Sequence, residues 1–235
     1  MRTGRPDHPR SFAGAVRRPV RTLIGAAAVA LALSLGDADP AAARSYPSLF
    51  NSAEQMGATL KAFPKWRGTL ERSLKDRAIP EDCKDGSLFN VCHLKAWDKF
   101  LNGLKDKPRM SQIRAVNSEM NRRRYILDPV NWGLKDYWAS PLQFFRKQGD
   151  CEDYAIAKFL SLRALGVPNE DMRILVLMDT NLNLAHAILV VYVEDRIYLL
   201  DNQISSVVRA DTVRHYKPIY SINETNWWLH RPRAG

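Results

Sequence analysis

The feature that most constrains the fold of this chain is one helical segment followed by three short apolar runs. Residues 151–165 carry apolar side chains at helical spacing, and Gly166-Val167-Pro168 ends the pattern. Runs rich in Val, Ile and Leu then follow at 173–178, 186–193 and 196–200. Because only Glu194 and Asp195 separate the last two runs, they are predicted to form an antiparallel hairpin. The carboxy-terminal half is therefore expected to be a helix packed on an antiparallel sheet.

The amino-terminal half has mainly helical patterns. The spacing of its apolar residues predicts helices over 66–78, 91–104 and 109–126. Residues 44–65 contain turn-forming residues and are expected to be irregular. Together the two halves predict an α+β fold with a single domain over 44–235. Its mainly helical lobe is expected at 44–126, and the helix with its antiparallel sheet at 127–235.

The first 43 residues have the composition of an export signal. A basic stretch that ends at Arg21 precedes an apolar run from Leu23 to Leu35, and Ala41 to Ala43 supply the small residues of a cleavage site. The run is shorter than the roughly 20 residues of a transmembrane helix, so no membrane anchor is expected after cleavage. Cleavage near residue 43 predicts an exported protein.

The charge of the chain is moderately basic. It contains 35 basic and 25 acidic residues, which gives a net charge of +10. Residues 1–43 hold six of the basic and three of the acidic residues, so the remaining chain carries +7. No zinc-finger spacing, glycine-rich phosphate loop or basic-aromatic stripe accompanies this charge, and nucleic-acid binding is therefore not expected.

The three cysteines have different expected roles. Cys83 and Cys92 enclose a short polar stretch that contains a glycine, and in an oxidising compartment they are predicted to form a disulfide. A loop this short is expected to stabilise the fold by about 2.5 to 3 kcal/mol in the chain-entropy model. The alternative is a pair of reduced thiols in a cytosolic protein. With the disulfide formed, Cys151 is left as a free thiol.

Cys151, His186 and Asp201 have the residue types and the order of a nucleophile, a base and an orienting carboxylate. Cys151 lies at the start of a predicted helix, where backbone N–H groups and the helix dipole stabilise a thiolate. His186 begins one predicted strand and Asp201 follows the next, so the hairpin places both at one edge of the sheet. Each residue also has an ordinary alternative as a buried thiol, a strand histidine or a turn aspartate.

Three carboxylates surround the Cys151 thiol in sequence, namely Asp150, Glu152 and Asp153. One explanation is structural, because Asp is a good N-cap and acidic residues suit the first turn of a helix. Three anions would also raise the thiol pKa, however, and a bound cation would remove that conflict. Carboxylate oxygens are typical calcium ligands. Further oxygens are available, with less support, from Asp179, Asn181 and Asn183.

Several short segments of the chain resemble the bacterial transglutaminase-like cysteine proteinases. They are Gly-Asp-Cys-Glu-Asp-Tyr-Ala at 149–155, Leu-Arg-Ala-Leu-Gly-Val-Pro at 162–168, His-Ala-Ile-Leu-Val-Val at 186–191, Leu-Leu-Asp-Asn at 199–202, and upstream Asp128, Asn131-Trp132-Gly133 and Asp136-Tyr137-Trp138. The resemblance implies a papain-like or transglutaminase-like fold. It also implies that Cys151 is the nucleophile, His186 the general base and acid, and Asp201 the orienting residue.

The same resemblance implies calcium at Asp150, Glu152 and Asp153 and a periplasmic location. The characterised LapG-type members cut the amino-terminal region of large surface adhesins and so release biofilm cells. A membrane receptor that senses cyclic di-GMP sequesters them. A protein substrate such as an adhesin and an inner-membrane receptor of that kind are therefore the implied partners.

Two other functions stay open at this point. The same triad in a transglutaminase or amidase acts on glutamine side chains, with an amine in place of water as the acceptor. A non-catalytic protein-binding module would keep the fold without the reaction. Such a module typically lacks a triad residue, whereas this chain contains all three.

Overall fold

The computed structural model describes residues 46–78 and 92–233. The predicted signal peptide at 1–43 and Cys83 of the predicted disulfide lie outside these residues. The helices within the described ranges are α1 (Pro64–Ala78), α2 (Cys92–Asn102), α3 (Arg109–Asn121), α4 (Asp128–Asn131), α5 (Pro141–Lys147) and α6 (Cys151–Ala164). None of these described helices has the length and apolar character needed to cross a bilayer.

Seven strands form one sheet in the described part of the chain. They are β1 (Ala53–Gly57), β2 (Met172–Asp179), β3 (Leu184–Val193), β4 (Arg196–Leu200), β5 (Val208–Arg209), β6 (Tyr216–Ile222) and β7 (Trp227–Arg231). Their order across the sheet is β1-β7-β6-β2-β3-β4-β5, and every neighbouring pair is antiparallel. Between residues 46 and 233, outside the gap at 79–91, three short 3-10 helices lie at Leu49–Asn51, Asn169–Asp171 and Ala210–Thr212. The predicted α+β class, with a helix on a carboxy-terminal antiparallel sheet, is confirmed.

Helix α6 is the central helix of the core. It packs on β2 and β3 on one side and on α3 and α5 on the other. Ile156, Phe159 and Leu162 on this helix are fully buried, and Trp66 of α1 meets the Phe159 ring edge-on at 5.6 Å between centroids. Because α6 is enclosed on both sides, its first residue, Cys151, is held rigidly with respect to the sheet.

The prediction missed the strands outside the β2-β3-β4 unit. β6 contains Pro218, which lacks a donor N–H and so argues against a central strand. The structure accommodates this proline where the β2–β6 register shifts, between Val176 and Leu177. Expecting an irregular segment over 44–65 was wrong at β1, an edge strand with mostly exposed side chains that lacks the alternation of a half-buried strand.

The helix predicted over 109–126 ends earlier, at Asn121. The chain then turns so that Tyr125 pairs with Gly149 and the Ile126 N–H donates to the Gly149 carbonyl at 2.9 Å. These long-range contacts outweigh the local helical preference of the segment. As a result the loop that follows α3 is attached to the chain just before Cys151.

Candidate active site

Cys151 is a free, partly exposed cysteine at the first position of α6. Its side chain lines a cleft of about 290 Å³, together with His186 and Ala187 of β3. The backbone N–H of Ala187 interacts with the thiol, and the thiol donates to Glu152 Oε2 at 3.2 Å. The structure thus brings the predicted nucleophile and the predicted base into one cleft.

His186 and Asp201 form a buried pair. His186 Nε2 lies 2.9 Å from Asp201 Oδ1, and both side chains are nearly inaccessible to solvent. Strand pairing explains the contact, because β3 and β4 are antiparallel and Asp201 directly follows β4. Since Nε2 is hydrogen-bonded to the Asp201 carboxylate, Nδ1 is the ring nitrogen that is left to exchange a proton with the Cys151 thiol.

Tyr216 of β6 is a member of this group that the sequence did not indicate. Its hydroxyl donates to Asp201 Oδ2 at 2.6 Å, and the backbone N–H of Gln203 donates to Asp201 Oδ1 at 2.8 Å. Burial alone raises the pKa of Asp201, but the bonds from His186, Tyr216 and Gln203 outweigh it and hold the pKa below the usual range. Asp201 is therefore an anion at neutral pH.

Five carboxylates near Cys151 form two overlapping clusters, and four of the five line the same cleft as Cys151 and His186. In each cluster one oxygen per residue lies within 4.8 Å of the others, and the clusters are Asp128 with Asp136 and Glu152, and Asp128 with Asp150 and Asp153. Asp150, Glu152 and Asp153 were predicted from the sequence. Asp128 is the first residue of α4 and Asp136 lies in the loop between α4 and α5, and the contacts of Tyr125 and Ile126 with Gly149 hold this segment beside α6.

The three buried members of the second cluster share an unusual feature, because each has one oxygen bonded to a backbone N–H and one oxygen without a partner. Asp153 Oδ1 accepts from Ala139, Asp150 Oδ2 accepts from Asp128, and Asp128 Oδ2 accepts from Tyr137. The buried oxygens without a hydrogen-bond partner among the described residues are Asp128 Oδ1, Asp150 Oδ1 and Asp153 Oδ2. Buried, unpaired carboxylate oxygens of this kind fit a hard cation such as calcium.

The electrostatics agree with that fit. Burial, followed by repulsion between the carboxylates, raises the pKa of Glu152 and of Asp153. Burial also raises the pKa of Asp150, and it raises the pKa of Asp128 to about 6. In the protein alone the cluster therefore holds protons at pH values where free carboxyls are ionised, and a divalent cation would replace those protons.

The cluster also affects the nucleophile. Burial raises the pKa of the Cys151 thiol strongly, and the Glu152 charge, the Glu152 hydrogen bond and the Asp150 charge raise it further. The Ala187 N–H acts in the opposite direction but is the smallest of these effects. Neutralising the carboxylates would remove the effect of their charges on the thiol pKa, whereas the effect of burial, which is the largest, would remain.

The structural explanation of Asp150 as an N-cap is only partly right. Asp150 occupies the N-cap position of α6, but its side chain makes no cap hydrogen bond. The side chain instead faces the backbone N–H of Asp128. Asp179, proposed from the sequence as an additional ligand, lies outside both acidic clusters, and its Oδ1 accepts from the backbone N–H groups of Asn181 and Leu182 in the β2–β3 turn.

The comparisons with known proteins agree with the geometry. The sequence profile described as bacterial transglutaminase-like cysteine proteinase BTLCP matches residues 83–232. A structure of Legionella pneumophila LapG is 33% identical, covers 68% of this chain and 87% of that chain, and has a TM-score of 0.55. A search of curated proteins gave no match.

Two further structures of the same Legionella pneumophila protein are similar to the chain. The calcium-bound form is 33% identical over 71% of this chain and 91% of that chain, with a TM-score of 0.56. The EGTA-treated form is 32% identical over 71% of this chain and 87% of that chain, with a TM-score of 0.57. The similarity therefore extends over most of the described fold.

Proposed function

The chain belongs to the bacterial transglutaminase-like cysteine proteinases and is a cysteine peptidase, and on this premise we propose that it is a calcium-dependent periplasmic endopeptidase. One observation carries the proposal. Cys151, at the start of a core helix, shares a cleft with His186, and His186 is bonded through Nε2 to the buried carboxylate of Asp201. This is the arrangement of a nucleophile, a base and an orienting residue.

In the proposed reaction, Cys151 Sγ attacks the carbonyl carbon of the scissile peptide bond after passing its proton to His186. His186 then protonates the leaving amine, which leaves a thioester on Cys151. A water molecule, deprotonated by His186, hydrolyses the thioester and releases the second product. Asp201 holds the imidazole orientation and stabilises its protonated form throughout.

We propose that Asp128, Asp150 and Asp153 hold calcium, with Glu152 and Asp136 completing the set from the overlapping cluster. The unpaired buried oxygens support this assignment. A bound calcium ion would neutralise the carboxylates beside Cys151. The calcium-bound and EGTA-treated forms of Legionella pneumophila LapG lend support from a related chain.

A thiol-labelling and cleavage experiment tests this function. Mature wild type, His186→Ala and Cys151→Ala are compared with a panel of extended peptides and a thiol-reactive probe, in calcium and in EGTA. Wild type with calcium is expected to cleave peptides and to label rapidly near neutral pH. His186→Ala and EGTA are expected to slow both by at least about a hundredfold. Slow labelling that neither change affects would contradict the proposal.

The same assay separates hydrolysis from amine transfer. A primary amine added with a glutamine-containing peptide is incorporated by a transglutaminase without backbone cleavage. We expect backbone cleavage and no amine incorporation. Incorporation without cleavage would assign the triad to the transglutaminase reaction.

The proposed substrate is a protein on the cell surface. The resemblance to LapG-type proteases supports a large adhesin as that substrate and a cyclic di-GMP-sensing inner-membrane receptor as the regulator, with biofilm control as the outcome. Deleting the gene is expected to increase the retained biofilm, and wild type but not Cys151→Ala is expected to restore release. Equal restoration by Cys151→Ala would show that proteolysis is not involved.

Export and the disulfide are part of the proposal. Residues 1–43 would be removed as a signal peptide, leaving one peptidase domain over 44–235 with a Cys83–Cys92 disulfide. Mass spectrometry of the exported protein is expected to find Arg44 at the amino terminus. It is also expected to find alkylation of Cys151 alone until a reductant is added, whereas alkylation of all three cysteines without reductant would exclude the disulfide.

A further inference from the structure

A second cavity adjoins the active-site cleft on the side of β6. It has a volume of about 370 Å³, and Asp136, Trp138 and Tyr220 line both this cavity and the cleft that holds Cys151. Because the two spaces share these residues, one bound peptide can extend from the thiol into the cavity. No step of the proposed reaction takes place there.

The lining of the cavity is mainly apolar. Trp66 and Trp138 are buried and lie edge-on to each other, with 6.3 Å between their ring centroids. Phe63 and Tyr220 are partly exposed, and their ring centroids are 5.3 Å apart. The other residues of the lining are Ala62, Pro64, Lys65 and Asp136. Aromatic walls around a space of this size fit an aliphatic or aromatic side chain.

The charged groups at the cavity do not change this preference. In the described chain, Lys65 and Asp136 are the charged residues of the lining, and the Lys65 ammonium forms an ion pair with Asp136 Oδ2. Both side chains are about half exposed, so the pair lies at the mouth of the cavity. A charged ligand group would lose water against the aromatic walls without gaining a partner there, and a neutral apolar group is therefore favoured.

The register of the sheet gives the distance from the thiol to the cavity. Ala187, Val176 and Tyr220 are paired across β3, β2 and β6, so their side chains lie in one row on one face of the sheet. The backbone N–H of Ala187 interacts with the Cys151 thiol, and the row therefore begins at the nucleophile and ends at the cavity. Two strand spacings make about 10 Å, which is the length of about three residues of extended chain.

The position of His186 decides which half of the substrate enters the cavity. His186 lies on β3, whereas the cavity lies beyond β2, at Tyr220 of β6. The leaving amine must lie beside His186 to receive its proton. The acyl half of the peptide, which precedes the scissile bond, therefore extends away from β3 and toward β6.

We propose that the cavity bounded by Phe63, Trp138 and Tyr220 is a specificity subsite, which takes a large apolar side chain of the substrate about three residues before the scissile bond. This inference rests on the proposed endopeptidase function. Phe63 also packs on Trp227, with 5.4 Å between ring centroids, and Trp138 packs on Trp66. The walls are thus in place before the substrate binds, which lowers the entropic cost of binding.

Digestion of a proteome-derived peptide library with calcium-saturated wild type tests the preference, with Cys151→Ala as the background. Mass spectrometry of the new amino termini identifies each cleaved bond. Large apolar residues are expected to be enriched before that bond, most strongly at about the third position. Cleavage without this enrichment, or with enrichment only after the bond, would overturn the subsite alone. No cleavage at all would overturn the endopeptidase function and the subsite together.

Two variants connect the preference with the cavity. Phe63→Ala removes one wall, and Ala62→Trp fills the cavity from its exposed rim. A cleaved peptide is made with either Phe or Ala at the selected position, and kcat/KM is measured for both forms. The ratio of kcat/KM for Phe over Ala is expected to fall at least about tenfold in each variant, mainly through KM. A wild-type ratio in both variants would overturn the proposal.

Phe100→Ala is the matched control for Phe63→Ala. Phe100 is a partly buried ring of α2 that packs on the same core, and it lies apart from the described lining of both the cavity and the cleft. Thermal unfolding is expected to show a similar loss of stability in the two variants, while Phe100→Ala keeps the wild-type ratio. An equal loss of selectivity in Phe100→Ala would assign the effect to the weakened fold and overturn the proposal.

Discussion

At the residue scale, the surroundings of Asp201 keep its carboxylate ionised and hydrogen-bonded to the His186 imidazole. It is fully buried, yet its pKa lies below the usual range because His186, Tyr216 and the Gln203 N–H all bond to it. The two oxygens have separate donors, with Oδ2 held by Tyr216 and Oδ1 left to face His186 Nε2. Tyr216 therefore helps to determine the orientation of the His186 imidazole through its hydrogen bond to Asp201.

Replacing Tyr216 with Phe tests this division of roles. The variant removes the donor to Asp201 Oδ2 and leaves the ring in place, so Asp201 can rotate away from His186. We expect kcat/KM to fall about tenfold, equivalent to about 1.4 kcal/mol, which is the scale of a hydrogen bond to a charged group. Peptide-cleavage kinetics provide the measurement.

The matched control is Tyr192→Phe. Tyr192 is buried on β3, and its hydroxyl has no hydrogen-bond partner among the described residues. Its removal is expected to leave kcat/KM unchanged. If both variants lose activity equally, the Tyr216 hydroxyl has no special role.

At the element scale, the short turn before α6 determines whether the acidic cluster forms. Gln148 has a φ of 65°, and Gly149 follows it directly. A Cβ atom at Gly149 would overlap the carboxylate of Asp153, so only glycine allows this approach. The same turn pairs with Tyr125 and Ile126, and in this way brings Asp128, at the start of α4, to the start of α6.

Gly149→Ala is expected to disrupt the acidic cluster although it replaces none of the proposed calcium ligands. The new methyl group displaces Asp153, so calcium affinity should fall at least tenfold and stability should fall by about 1 to 3 kcal/mol. Calorimetric calcium titration and denaturant unfolding measure the two effects.

Gly103→Ala serves as the control for Gly149→Ala, because a Cβ atom there meets only ordinary contacts, 3.4 Å from the Phe100 carbonyl oxygen at the closest. It should bind calcium as wild type does. Wild-type calcium affinity in Gly149→Ala would show that Asp153 is not a ligand.

At the scale of the whole molecule, the acidic cluster joins the loop after α3 to the first turn of α6. Burial raises the pKa of Asp128, Asp150, Glu152 and Asp153, so these carboxyls keep protons in the folded protein that the unfolded chain releases near pH 4. The folded state binds more protons than the unfolded state above that pH. Through these groups the metal-free protein therefore loses stability as the pH rises.

Calcium is expected to reverse this loss, because it binds the ionised carboxylates. The increase in melting temperature on replacing EGTA with saturating calcium should be several degrees larger at pH 8 than at pH 5.5. Groups that titrate outside the cluster contribute equally to the melting temperature with and without calcium. Their effect therefore cancels when the two increases are compared. Differential scanning calorimetry at the two pH values measures it, with magnesium as a comparison ion. An equal increase at both values, or none at either, would contradict the calcium assignment.

The sequence by itself determined the elements that local pattern encodes. The α6 helix, the β2-β3-β4 unit and the places of Cys151, His186 and Asp201 within them follow from spacing, chain order and turn residues. Only the tertiary structure revealed that Asp128 and Asp136 join the acidic cluster and that the Tyr216 hydroxyl donates a hydrogen bond to Asp201. The physical reason is that these contacts depend on sheet order and helix packing between distant segments, whereas periodicity reports only the local face on which a residue lies.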